Sequence, residues 1–376
     1  MKSRVQLFTD SDEILFLAVP IFFVLGAALL WLLGWTDLTS SSEKVIDAII
    51  MTVGMQEAHK VFTFALLALP ESRQWLTAQR QLQHKNLLLR WAITGALLFV
   101  VFWFLYGYAD QLRSASGGGL HGISAWKFFW LAFYYVNFGH TLGQTYGLSM
   151  LYNRAYLDSL PTGERAAARV LMWMNIERRV YKPFLWSMAI YAAYWQVFSY
   201  DQWSSYAIAP GVLAIAAVML PTFFLPAPLR RAKLWFNVRL LLYLVLFFPG
   251  VLLLGFGLNV VHNLEYWNVL KSSAGNSRLA NKRWYWAMSA LGFALFVLLA
   301  LPRNSGFFVA ANAWFVAHMA LRDGLIAATL AMTALHYLMD GDIFHFSDPM
   351  TRKFILPLLS SGARRIDEPV KTSLAS

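Results

Sequence analysis

Cysteine is absent from this chain of 376 residues, which removes disulfides, thiolate metal ligands, cysteine nucleophiles and redox-sensing thiols together. Any metal site must therefore use nitrogen and oxygen donors. Charge is scarce as well: 14% of residues are charged against 58% hydrophobic and 16% aromatic, with a mean hydropathy of +0.49. That balance does not suit a water-soluble domain. Glycine-rich phosphate loops and nucleophile-elbow patterns are also missing, so nothing points to nucleotide or serine chemistry.

What fills the sequence instead is a succession of apolar stretches, each near the length of about 20 residues that a hydrocarbon layer of roughly 30 Å requires. They run Ile14 to Leu33, Val45 to Leu69, Leu88 to Tyr108, Trp126 to Met150, Phe184 to Tyr200, Ile208 to Leu225, Leu234 to Phe248, Val251 to Leu270, Trp284 to Leu301 and Phe307 to Asp340. The pattern predicts an all-α, polytopic transmembrane bundle of about ten spans, in one integral domain over residues 1–350. The seventh and eighth spans are divided at Pro249-Gly250, where proline removes a helical donor and glycine permits a tight turn. The last segment is long and is interrupted by Arg322-Asp323-Gly324, so it reads as one tilted helix or two. The first is long and preceded by Asp10, Asp12 and Glu13, which fits a span better than a cleavable signal.

Basic residues fall in alternate loops. One side receives Lys2 and Arg4, Arg73 to Lys85, Arg154 to Lys182, Arg230 to Lys233, Lys271 to Arg283, and Arg352 to Lys371, while the opposite loops hold only Lys44, Arg113 and Arg303. By the positive-inside rule both termini are cytoplasmic, in the inner membrane of a bacterium. The net charge of +11 is thus spread through short loops that set topology, and no single basic patch calls for nucleic acid. Residues 164–182 interleave tryptophan, methionine and valine with arginines before Pro183, which predicts an amphipathic helix along the cytoplasmic interface. Residues 351–376 read as a mobile cytoplasmic tail.

Ionisable residues inside apolar runs are costly and tend to be functional. Four histidines stand out: His59, His140, His262 and His336, each on an even-numbered span. His59 and His140 come ten residues before their segment ends, His262 eight and His336 four, so all four sit at about one depth. A single membrane histidine is often an interhelical hydrogen-bonding residue; four at matched depth point to a shared metal or cofactor. Residues three or four apart share a helix face, and there Gln56 and Thr63 flank His59, Asn137 and Gln144 flank His140, Asn259 and Glu265 flank His262, and Thr333 and Asp340 flank His336. A metal-bound imidazole donates its other N–H to such groups. Gln56, Glu57, Asn137, Gln144, Asn259 and Tyr266 are the candidates for that supporting role, and Glu265 and Asp340 for orienting ligands or moving protons. Glu57, Glu265 and Asp340 also have the chemistry to bind metal directly, as in a two-metal site. Lys60 reads as a snorkelling residue or a partner of Glu57. His318 lies too far along its helix to join, His84 and His121 read as solvated, and His345 reads as an interfacial residue or a fifth ligand.

Imidazoles and carboxylates without thiolate suit iron, zinc or manganese, and haem held by axial histidines leaves little local signature. Non-haem iron with dioxygen is the first expectation for chemistry on an apolar substrate inside lipid. The four-histidine pattern, above all Leu335-His336-Tyr337-Leu338-Met339-Asp340, resembles the bacterial carotene-cleaving oxygenases related to the bacterio-opsin-related protein. That resemblance implies a polytopic membrane protein holding non-haem iron with histidines from separate helices. The chain departs from the family at the first site, where Ala58-His59-Lys60 stands in place of a proline-histidine-glycine run. The stretches around His262 and His336 also resemble motifs of uncharacterised bacterial membrane proteins. The expected function is a membrane-embedded, iron-dependent oxidoreductase acting on an isoprenoid or acyl-lipid chain, with a redox partner that the sequence does not identify. Two other readings are a proton- or cation-coupled transporter using the same histidines and carboxylates, with Pro20, Pro221 and Pro249-Gly250 supplying broken helices, and a structural subunit docking a partner through its basic loops.

Overall fold

The computed structural model describes residues 59–108, 125–158, 165–198, 208–237, 252–278, 282–300, 317–346 and 348–359, together with single positions outside these ranges. The described residues are helical, with no strand among them. In chain order the helices are α1 (His59–Ala68), α2 (Pro70–Gln83), α3 (Leu87–Gly107), α4 (Ala125–Asp158), α5 (Arg165–Phe198) and α6 (Ile208–Phe223). They continue with α7 (Ala227–Asn237), α8 (Leu252–Asn276), α9 (Lys282–Ala300), α10 (Met319–Ile343), α11 (Pro349–Phe354) and α12 (Leu356–Leu359). Most of the first and seventh expected spans, Gln56, Glu57, His121, Pro249-Gly250 and residues 360–376 lie outside the described residues.

The all-helical expectation holds among the described residues. α3 is the one described helix long and apolar enough to cross a membrane. Its flank exposes Leu88, Leu89, Ile93, Leu97, Val100, Val101, Trp103 and Phe104, an outward apolar surface of the kind that marks a membrane or protein contact. The other helices carry polar residues within their apolar runs, as α8 does with His262, Asn263, Glu265 and Asn268, all buried.

Several boundaries move for identifiable reasons. α4 continues past Met150 to Asp158, so its 34 residues extend about 51 Å. Pro183 does not end the amphipathic segment: α5 runs through it, from Arg165 to Phe198. Pro183 is exposed, and Ser187 Oγ donates to its carbonyl at 2.9 Å. In the first half of α5 one face packs inward, with Val170, Glu177 and Tyr181 buried. The expected basic loop at Arg230–Lys233 is helical, within α7. The Arg322-Asp323-Gly324 interruption lies inside a continuous α10, which begins at Met319 after His318 at its N-cap. The tail expected from residue 351 is docked up to 359: Thr351, Ile355, Leu358 and Leu359 are buried, Trp75 Nε1 donates to Thr351 Oγ1 at 3.1 Å and Asn276 Nδ2 donates to the Leu358 carbonyl at 3.1 Å.

The main core gathers Phe62, Leu66, Trp75, Trp91, Tyr152, Leu229, Tyr266 and Met339, so α1, α2, α3, α4, α7, α8 and α10 share one apolar interior. A second cluster joins Phe102 of α3 to Ala327, Leu330 and Ala331 of α10. Small residues let these two helices approach; a Cβ added at Gly95 would stand 3.0 Å from Leu335 Cδ2. At one end Trp91 Nε1 donates to Asp342 Oδ2 at 2.8 Å, and Arg90 pairs with the same carboxylate. The α3–α10 packing fixes the helix that carries His336 and Asp340.

Candidate metal centre

Each of the four histidines comes from a different helix: His59 from α1, His140 from α4, His262 from α8 and His336 from α10. His59, His262 and His336 are buried, at 1%, 3% and 0% exposure. Their Nε2 atoms meet, with His59 Nε2 3.0 Å from His336 Nε2 and 3.2 Å from His262 Nε2. The ring of His59 crosses those of His336 and His262 steeply, at 75° and 83°. His140 packs beside them, its ring centroid 5.1 Å from that of His336 and 5.5 Å from that of His262. Its Nε2 faces Asp340 Oδ2 at 3.6 Å. Two groups with metal-ligating potential result, His59 with His262 and His336, and His140 with His336 and Asp340.

Hydrogen positions follow from the donors available. Thr63 Oγ1 donates its only hydrogen to Asp340 Oδ1 at 2.9 Å, so it accepts from Nδ1–H of His336 at 2.7 Å. That leaves His336 Nε2 with a bare lone pair directed at His59. Tyr266 OH donates to Asp340 Oδ2, so both carboxylate oxygens carry hydrogen bonds. One hydrogen on His59 Nε2 cannot serve both of its close neighbours, and His59 Nδ1 and His140 Nε2 are buried without a hydrogen-bond partner. Lone pairs converging in a dry interior are unfavourable unless a cation takes them up. Donors about 2.0–2.1 Å from one ion, at angles of about 90–110°, stand roughly 2.8–3.4 Å apart. The observed 3.0 and 3.2 Å separations fit that spacing, and the residues present fit a nitrogen-ligated divalent metal.

The supporting residues are wired differently from the expectation that each flank serves its own histidine. Thr63, one turn from His59, holds His336 instead. Thr333, near His336, accepts from the buried Lys60 ammonium, which therefore neither snorkels nor reaches water. Asn137 Oδ1 accepts from Tyr337 OH, and that phenol ring stacks on His140 at 4.2 Å. Gln144 Oε1 is buried without a hydrogen-bond partner. Glu265 is buried but belongs to neither ligand group. The side chain of Asn259, like Gln56 and Glu57, falls outside the described residues. His345 and His318 are exposed, away from the centre, and His318 instead stacks on Trp314 at 4.2 Å. Beside His140, Gly139 allows Trp186 of α5 to lie against α4, since a Cβ there would come within 2.9 Å of the indole.

A second buried polar group lies outside the expected site. Lys233 of α7 is fully buried and bonds Glu177 Oε2 of α5 at 2.6 Å and Asn153 Oδ1 of α4 at 3.0 Å, while Asn153 Nδ2 donates to Glu177 Oε2 at 2.9 Å. Burial pulls Lys233 below its ordinary value of 10.5, and the Glu177 carboxylate opposes that pull. Lys233, expected in a topology-setting loop, is instead part of this buried group, and the signal for its partner is a lone acidic residue amid the arginines of α5.

No protein-family model matches the chain, and neither the curated proteins nor the solved structures contain a match to it.

Proposed function

We propose that this chain is a multi-pass protein of the bacterial cytoplasmic membrane that holds iron through His59, His262 and His336 and uses it with dioxygen to oxidise an apolar isoprenoid or acyl chain. The observation that carries the reading is the approach of two imidazole Nε2 atoms, from His336 and His262 on separate helices, to the Nε2 of His59 at 3.0 and 3.2 Å, with all three ligand atoms within 4.8 Å of one another. The outward apolar flank of α3 supports the lipid setting. About ten spans with cytoplasmic termini, and a likeness in kind to the carotene-cleaving oxygenases, belong to the same proposal.

An iron ion held there supplies one-electron chemistry and a position for dioxygen to bind. The chain's own residues do the rest. Thr63 holds His336 with its Nδ1 protonated and its Nε2 turned inward. Asp340 anchors Thr63 and Tyr266 and brings negative charge near a buried cation. Phe62, Leu66 and Met339 keep water out, and an apolar chain enters from lipid without crossing an aqueous phase. His140, facing Asp340, completes the wall of the centre. A transporter would use the same histidines as successive stations along a route; nitrogens gathered about one point favour a single bound ion.

The test is to reconstitute purified protein with ferrous iron in nanodiscs of bacterial lipid and supply isotopically labelled dioxygen. The expected result is labelled oxygen in an apolar product, lost in His262→Ala. Unlabelled lipid from iron-loaded protein would overturn the oxygenase reading.

A further inference from the structure

Two tyrosines touch the histidine centre, and their surroundings differ in a way that separates their chemistry. Tyr266 of α8 is 0% exposed, with its ring centroid 5.0 Å from that of His59 and 5.4 Å from that of His336. Its hydroxyl donates to the Asp340 carboxylate and lies 3.3 Å from Thr63 Oγ1. Tyr337 of α10 stacks on His140, but its hydroxyl donates to the Asn137 side-chain carbonyl. A phenol loses an electron readily only when its proton has somewhere to go, because the oxidised phenol is a strong acid. A carboxylate takes that proton; an amide oxygen, a far weaker base, does not.

We infer that Tyr266 is a redox-active residue that delivers an electron to the centre and its phenolic proton to Asp340. The inference rests on the metal reading above and adds a role for a side chain that would otherwise only orient a carboxylate. In the step, the Tyr266 O–H bond breaks, an O–H bond forms at Asp340 Oδ2, and a neutral phenoxyl radical remains. With hydrogen peroxide as oxidant the balance closes. One electron comes from ferrous iron, left ferric, and one from Tyr266; the peroxide O–O bond breaks and, with two protons, one relayed through Asp340 and one from solvent, two waters leave. Because the phenol packs against the ligand rings, the electron crosses only van der Waals contacts.

The experiment loads the full-length protein with ferrous iron without oxygen, confirms iron content, mixes it with hydrogen peroxide and freezes it for electron paramagnetic resonance. A phenoxyl signal whose hyperfine pattern collapses when the protein is grown on ring-deuterated tyrosine is expected. Tyr266→Phe, which keeps the ring and its packing, abolishes it at unchanged iron content, and Asp340→Asn lowers its yield by about a hundredfold. Tyr337→Phe leaves it intact. A signal that survives Tyr266→Phe, or none from iron-loaded wild type, overturns the inference while leaving the metal reading standing. Protein that retains zinc but not iron overturns the inference and the choice of iron; protein that holds no metal overturns both readings.

Discussion

Thr63 Oγ1 stands 2.7 Å from His336 Nδ1, joining α1 to α10 through one hydroxyl. Because the same hydroxyl donates to Asp340 at 2.9 Å, it fixes which nitrogen of His336 faces the centre. Thr63→Val keeps the shape and removes the bond. It is expected to weaken metal binding by about 10–100-fold, with Thr63→Ser near wild type. Titration against a competing chelator measures this, and equal affinities for the valine and serine variants would contradict it.

The Lys233–Glu177 pair is buried on both sides, with side-chain exposures of 0% and 1%. Removing one partner leaves the other charged in a dry interior. Glu177→Gln or Lys233→Met alone is therefore expected to destabilise the protein by about 3–5 kcal/mol, whereas the double change Lys233→Met with Glu177→Met recovers most of the loss. Thermal unfolding in detergent reads the comparison. A double variant no more stable than the singles would show that the pair is not the coupling unit.

Asp348 ties the docked C-terminal segment to α2, accepting from Gln79 Nε2 at 2.7 Å, Gln83 Nε2 at 2.6 Å and the Thr351 backbone at 2.8 Å. Partial burial pushes its carboxyl upward, but the bonds from Gln83, Thr351 and Gln79 outweigh that and hold it below its ordinary value of 3.8. The sign follows: the stabilisation is complete above the ordinary value and is lost as pH falls through the lowered one. Hydrogen exchange at residues 351–359 should stay slow from neutral pH down to the carboxylate range and accelerate below it. Asp348→Asn should exchange faster at neutral pH. Exchange unaffected by either change would remove Asp348 as the lock.

How far the centre was legible in the sequence follows from what periodicity encodes. His59, His140, His262 and His336 were found because a histidine in an apolar run is conspicuous and the segment ends give depth. Asp340 was found from its i+4 spacing. Pairings across helices are not legible: Thr63 flanks His59 on one helix face yet bonds His336, and Thr333 flanks His336 yet accepts from Lys60. Helix spacing reports neighbours on one face, and these bonds run between faces. Pro183 was expected to end its helix, yet α5 runs through it, because a proline at an exposed position removes one donor without stopping the turns on either side.

The absence of cysteine makes topology directly measurable, since any introduced thiol is the only one. Gly118→Cys is expected to react with a membrane-impermeant maleimide from the periplasmic side, and Lys85→Cys only after the cytoplasmic face is opened. Both labelling from the same side would contradict the alternating arrangement.

The central claim, a metal ion held by imidazoles of three helices, is tested most directly by elemental analysis of detergent-purified protein prepared without chelators. About one equivalent of iron per chain is expected. It should be lost in His59→Ala, His262→Ala and His336→Ala, and retained more weakly in His140→Ala, whose Nε2 faces Asp340 rather than the three converging nitrogens. Wild-type protein that binds no transition metal, or triple-site variants that retain it in full, would contradict the account.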